Sequence, residues 1–297
     1  MNLKSKENLI GYVFISPWLI GFILLNIGPM IMSFIFSFTS YDCFSSLKFI
    51  GFNNYISMVT NDSLFKNALL VTFKYVLFYV PLRVVVALTI AMLLNQQIRG
   101  MSFYRTIYYI PSILGGGVAV SVMWKMILSK DGAINALLGM LGLEGPNWLA
   151  DPNTALFSMV IMSCWAFGSA MVIFLAGLKG IPKELYEASS VDGASPVRQF
   201  FSITLPLLSP VIFFNIVMTL IDGFQVFTQA FIMTSGGPLN STRFYVLYLY
   251  QNGFQYFRMG YASAMAWILF IIIMGFTLLI FKTSAFWVYY QSVEEGK

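Results

Sequence analysis

The chain has no histidine, two cysteines and very little charge: seventeen basic and twelve acidic side chains in 297 residues. Each shortage excludes something. Without histidine there is no imidazole metal cluster, no H-E-x-x-H zinc-hydrolase motif and no histidine proton relay. Two cysteines cannot build a disulfide framework; Cys164 lies in an apolar run and Cys43 beside one, so no structural disulfide is expected. No G-x-x-x-x-G-K-[S/T] loop is present, so the chain is not expected to hydrolyse ATP itself. Charged residues at 10% fall far below the roughly 25% of soluble domains, too few to cover a soluble fold of this length. What remains is apolar. Hydrophobic residues make up 58%, and the 29 phenylalanines outnumber lysine and arginine together. Lipid must serve as part of the solvent, and a net charge of +5 fits basic loops at a membrane better than a nucleic-acid partner.

A spanning helix needs about 20 apolar residues. Six windows meet that requirement: 10–38, 68–94, 107–128, 155–178, 205–233 and 261–281. Runs of this length exclude the alternating ten-residue pattern of a membrane β-barrel. The expected fold is an all-α polytopic membrane protein with six transmembrane helices. Window 10–38 follows Lys4 and Lys6 like a signal peptide, but its apolar run is too long and no small-x-small cleavage site follows, so it reads as a retained helix. Nine basic residues (Lys4, Lys6, Arg99, Arg105, Lys179, Lys183, Arg198, Lys282, Lys297) fall on one side of these windows. Five (Lys48, Lys66, Lys130, Arg243, Arg258) fall on the other, which places both termini in the cytoplasm.

The loops carry further signals. The aromatic segment 48–55 suits the headgroup region; 131–148 reads as turn, short apolar helix and turn; and 235–242 stacks three breakers before an N-cap. These external loops read either as plain connections or as a docking surface. On the cytoplasmic side, Pro182 opens a short helix with Glu184 and Glu187 near its positive end, and Gly193 closes it. Leu185, Ala188 and Ser189 share one face of that helix as a small-residue knob suited to a cytoplasmic partner.

The order Glu187-Ala188-Ser189, Asp192-Gly193-Ala194 and Ile203-Thr204-Leu205-Pro206 resembles the EAA signature of binding-protein-dependent ABC transporter permeases. Serine at 189 stands where the usual pattern has a second alanine. Further stretches resemble the sugar permease branch of MalF-type and UgpA-type subunits: 94–106, Tyr108-Tyr109-Ile110-Pro111, Phe224-Gln225-Val226-Phe227, 236–242, and Phe254 to Ala262. The large external insertion of the maltose-type subunit is absent. The resemblance implies a type I ABC importer (MetI-like) transmembrane fold in the cytoplasmic, or inner, cell membrane. It divides the chain into an N-terminal segment with the first helix (1–67), a permease domain (68–281) and a cytoplasmic tail (282–297). It implies that Glu184, Glu187, Ala188, Ser189, Asp192, Gly193 and Ala194, within loop 181–196, couple the chain to a separate ATPase. It also implies four kinds of partner: a second homologous permease subunit, two cytoplasmic ABC ATPase subunits that use ATP and Mg, an extracellular solute-binding protein, and a sugar. The chain itself would be no enzyme and hold no cofactor or metal. An oligosaccharide is the expected substrate, with glycerol 3-phosphate or another polyol-like solute as the rival.

Ionisable residues inside a membrane default to functional candidates. Lys74 and Arg83 lie nine residues apart on opposite helix faces, and each reads as a pore residue or as a snorkelling or salt-bridged one. Asp222 lies within the fifth window and must find a donor or a proton. Helical spacing puts Asp222, Gln225 and Gln229 on one face, with Asn215 a heptad back and Phe224 adjacent, which serves either sugar contact or polar helix packing. Pro111 with Gly115-Gly116-Gly117 makes the third window the least regular. An ion-coupled secondary transporter would want more spans and buried acids. An intramembrane enzyme would want a catalytic constellation that the sequence lacks.

Overall fold

A computed structural model describes residues 3–42, 44, 46–96 and 98–289, with backbone alone for 3–10. Cys43 and Lys297, named above, lie outside the described residues, as do Gln97 of the stretch 94–106 and the rest of 290–297. Among the described residues the fold is all-α, with one isolated β-bridge between Thr39 and Phe49. The chain forms two compact units: Met1–Ser63 with Leu249–Ile271, and Leu64–Tyr248 with Ile272–Lys297.

In the first unit, α1 (Leu3–Phe22) continues through a π-helical turn (Ile23–Ile27) into α2 (Gly28–Ser37). Pro29 has no N–H for an i→i−4 bond, and the chain absorbs the loss by widening the preceding turn. The end of α2 is closed from α3 (Asn53–Thr60): Asn54 Nδ2 donates to the Ser37 and Thr39 carbonyls at 2.8 and 2.9 Å. Gly260 approaches the same segment so closely that a Cβ would stand 2.1 Å from the Thr39 carbonyl oxygen. The Phe49 and Phe52 rings are exposed, as an interfacial segment requires.

The second unit holds most of the helices. In order these are α4 (Ser63–Leu94), α5 (Met101–Leu114), α6 (Val118–Ile127), α7 (Ala133–Met140), α8 (Ala155–Trp165), α9 (Gly168–Gly180), α10 (Lys183–Val191), α11 (Pro196–Gln199), α12 (Leu205–Phe224), α13 (Thr228–Met233), α14 (Tyr245–Tyr250) and α15 (Met259–Trp287), the first and the last two including residues of the first unit. A second π turn (Phe200–Thr204) precedes Pro206, for the same reason as the first. Gly11–Ser37, Ser63–Leu94, Pro196–Met233 and Met259–Trp287 are long and apolar enough to cross a membrane. The count rises to six if α5–α6, bent by 104°, and α8–α9, bent by 50°, are one span each. Every apolar window therefore finds its helix or helix pair. The last helix runs beyond 281 to Trp287, and α4 begins ahead of 68.

The core of this unit is a close packing of α4, α9 and α12. Ala87 and Ala91 on α4 are fully buried and cluster with Met171, Phe174 and Leu178 of α9 and Leu208 of α12. Small residues let the backbones approach where lipid offers no hydrophobic drive for association. Gly177 marks a close approach of α9 to α12, since a Cβ there would lie 2.8 Å from Val211 Cγ2 and 2.9 Å from Leu208 Cδ2. Gly177→Val is expected to destabilise the unit by about 1–3 kcal/mol through overpacking. Gly180→Ala, with open space around it, is the control. The melting midpoint in detergent separates the two; equal midpoints would contradict this packing.

Candidate functional site

Three interruptions of helix meet in one place. The α5–α6 corner brings Gly115 and Gly116, the α8–α9 bend brings Ala166, and the α12–α13 break brings Gln225, Val226 and Phe227. All line a cavity of about 410 Å³. Gly115 turns the corner at φ +63°, a conformation open to glycine. Gly116 sits beneath the Gln229 amide, where a Cβ would come within 2.6 Å of Nε2. Broken helices expose backbone groups that lipid cannot satisfy, so side chains must do so. Ser112 serves the α8–α9 bend: its hydroxyl donates to the Ala166 carbonyl at 3.2 Å and accepts from the Ser169 N–H at 3.0 Å. Gly168 permits this approach, because a Cβ there would lie 2.7 Å from Ser112 Oγ.

Arg83 and Asp222 are the charged residues lining the cavity. The Arg83 guanidinium donates through Nη1 to the Tyr79 hydroxyl and through Nη2 to the Ala166 carbonyl at 3.3 Å. Its Nη1 lies 3.7 Å from Asp222 Oδ2, an ion pair without a hydrogen bond. The Arg83 side chain is 12% exposed and that of Asp222 60%. Lys74, by contrast, is exposed and away from the cavity, as its opposite helical phase requires.

Of the residues that the sequence singles out, Asp222, Gln225 and Gln229 line the cavity together. The reason differs from the expected one. Helix α12 ends at Phe224, so Gln229 reaches the cavity from α13 across a break, not by i+4 spacing on one continuous helix. Phe224 and Asn215 point elsewhere. Phe224 is buried against Phe73 and Phe276, and Asn215 is buried with its amide donating to the Val211 carbonyl at 2.9 Å. Tyr79, Ser112 and Ala166 were not singled out. The available signal was two opposite charges, Arg83 and Asp222, each in want of a partner inside the same membrane.

The other candidate region is α10 and its flanks. Pro182 takes the N-cap position and Glu184 the first turn, where a negative charge suits the helix dipole. The C-terminus closes as a Schellman motif: Gly193 at φ +77° donates to the Ser190 carbonyl at 3.1 Å and Ala194 to that of Ser189 at 2.9 Å. Asp192 is the C-cap. Glu184, Leu185, Glu187, Ala188 and Val191 are exposed, forming the outward stripe. Ser189 is turned inward instead, since Gln199 Nε2 donates to its hydroxyl at 3.0 Å and to that of Ser190 at 2.8 Å. Tyr186 fixes the helix to the base of α12 through a 2.8 Å hydrogen bond between its hydroxyl and that of Thr204.

Residues 84–291 match the family model described as binding-protein-dependent transport system inner membrane component. The chain is 52% identical to YesP of Bacillus subtilis, a probable ABC transporter permease protein, over 98% of this chain and 95% of that one. It is 34% identical to AraP of Halalkalibacterium halodurans, an arabinooligosaccharides transport system permease protein, over 95% of this chain and 90% of AraP. A crystal structure of a bacterial ABC transporter involved in the import of the acidic polysaccharide alginate superposes with a TM-score of 0.80. The match has 23% identity and covers 95% and 97% of the two chains, a likeness of fold.

Removing the Ser112 hydroxyl leaves a carbonyl and an N–H at the α8–α9 bend without that partner. Ser112→Ala is expected to cost about 1–3 kcal/mol, measured as a lower melting midpoint in detergent. An unchanged midpoint would mean that water or lipid headgroups serve the bend instead.

Proposed function

The chain belongs to the family of binding-protein-dependent transport inner membrane components, and from that premise we propose that it is the membrane-spanning permease subunit of an ATP-driven carbohydrate importer. The observation that carries this reading is the physical link between two features. A polar cavity lies at one end of α12, and an exposed short helix, α10, is hydrogen-bonded to the other end through Tyr186 and Thr204. A partner that hydrolyses ATP and pulls on α10 would move α12, and with it the wall that carries Asp222 and Gln225.

In this reading the six apolar windows are six transmembrane helices with both termini cytoplasmic. Residues 68–281 constitute the permease domain. Loop 181–196 docks on a cytoplasmic ATPase subunit: Glu184, Glu187 and Ala188 lie on the contact face, and Ser189, Asp192, Gly193 and Ala194 hold its shape. The assembly contains a second homologous permease subunit and two ATPase subunits, and an extracellular solute-binding protein delivers the sugar. An oligosaccharide fits the named role of AraP and the cavity's lining. Asp222, Gln225 and Gln229 supply hydroxyl-binding groups, while Trp165 and Phe227 supply ring faces.

The test is uptake of labelled oligosaccharides by vesicles holding the complete transporter and its binding protein. Uptake is expected to stop on ATP depletion and to survive collapse of ion gradients; the reverse pattern would identify a secondary transporter. Glu187→Ala and Gly193→Val are expected to weaken ATPase association about tenfold or more while the protein still reaches the membrane. The valine would be forced into a left-handed conformation that the Schellman turn reserves for glycine. Unchanged uptake and unchanged co-purification of the ATPase in both variants would remove the coupling assignment.

A further inference from the structure

The cavity contains a fixed cation and a loose counterion. Arg83 is held on two sides, by the Tyr79 hydroxyl and the Ala166 carbonyl, and its guanidinium carbon lies 5.5 Å from the Tyr79 ring centroid. Its Nε is buried, so a solute meets the group only from the cavity side, where Nη1 lies beside Asp222. Asp222 faces it at 3.7 Å, is largely exposed, and makes no hydrogen bond through its carboxylate among the described residues. A structural ion pair is built differently. Burying a guanidinium costs several kcal/mol, and the cost is recovered through short, usually bidentate contacts. Here the cation is positioned as firmly as its surroundings allow, while the carboxylate balances it by charge alone and is free to turn away.

Neutral sugars do not require this arrangement. Their hydroxyls are served by amides, hydroxyls and a carboxylate, all of which the cavity already has without Arg83. A guanidinium that lines a cavity, beside a carboxylate it does not hydrogen-bond, matches a second carboxylate arriving with a solute. We propose that Arg83 is a specificity-determining contact for a carboxylate on the transported sugar. The substrate class is then an oligosaccharide containing a uronate, and Asp222 is the resident counterion that the sugar's carboxylate displaces. The assignment rests on the reading of this cavity as the sugar pathway and narrows it. The exchange is non-covalent: one carboxylate replaces another beside the same cation, and Asp222 turns to the open side of the cavity.

The complete transporter with its binding protein is assayed for ATP-dependent uptake of uronate-containing di- and trisaccharides. Each is paired with its carboxyl-reduced neutral counterpart. The wild type is expected to import members of the acidic set. Arg83→Gln should lower that uptake about tenfold or more, the range for a lost hydrogen bond to a charged group, and Arg83→Lys should restore part of it. Asp222→Asn provides the check should Arg83→Gln fail to assemble. Removing a displaceable competitor is expected to lower the apparent KM for the acidic sugars several-fold, whereas breaking a structural pair would raise it or abolish assembly. A raised KM in Asp222→Asn, or acidic uptake indifferent to Arg83→Gln, overturns the role of Arg83. Import of neutral sugars alone overturns the uronate class and leaves the carbohydrate importer standing. Import of neither set removes the carbohydrate reading, and the present inference with it.

Discussion

A peptide group in hydrocarbon has no water to bond, so a helix can be interrupted inside a membrane only where protein or a wet cavity satisfies the freed groups. Among the described residues, the breaks between α5 and α6, α8 and α9, and α12 and α13 all border one cavity. The convergence is a consequence of that constraint. Ser112 serves both sides of the α8–α9 bend, and Arg83 adds a second donor to the Ala166 carbonyl. The polar side chains of the cavity therefore have two tasks, satisfying broken backbone and presenting groups to a solute. The glycines at 115, 116 and 168 belong to the same economy of space, since each allows a chain to approach where a side chain would intrude or strain.

The second organising element is α12. At its base the π turn before Pro206 and the Tyr186–Thr204 hydrogen bond tie it to α10. At its far end it carries Asp222 and stops at Phe224. Between these ends it packs on α9 with no room for a side chain at Gly177. Close-packed helices transmit displacement because their interfaces do not deform continuously. A push at the exposed stripe of α10 thus has a short covalent and hydrogen-bonded route to the cavity wall, which is the physical content of coupling in the proposed importer.

Much of this was legible before any fold was seen. The six apolar windows, the short helix after Pro182, its stop at Gly193 and the irregularity around Gly115–Gly117 follow from local chemistry: apolar length, a proline's missing donor, a glycine's left-handed freedom. The cavity residues were only half legible. Asp222, Gln225 and Gln229 were grouped by assuming an unbroken helix, and they do meet, but across the break after Phe224. The same assumption would have kept Asn215 and Phe224 in the group, and packing turned both away. Ser189 was placed on the outward knob by helical phase, yet Gln199, ten residues on, draws it inward.

By itself, then, the sequence determined the solvent, the all-α fold class and the short helix after Pro182, because these depend on composition and on residues within a few positions of one another. Family membership was legible too, in the ordered motifs from 94 to 262. Only the tertiary structure decided that Arg83 of α4 and Asp222 of α12 share a cavity, that one is fixed while the other is loose, and that three separate breaks surround them. These facts depend on contacts between residues far apart in the chain, such as Arg83 with Ala166 and with Asp222. No local periodicity encodes which helix faces which, because lipid and protein are equally apolar neighbours for most of each helix surface.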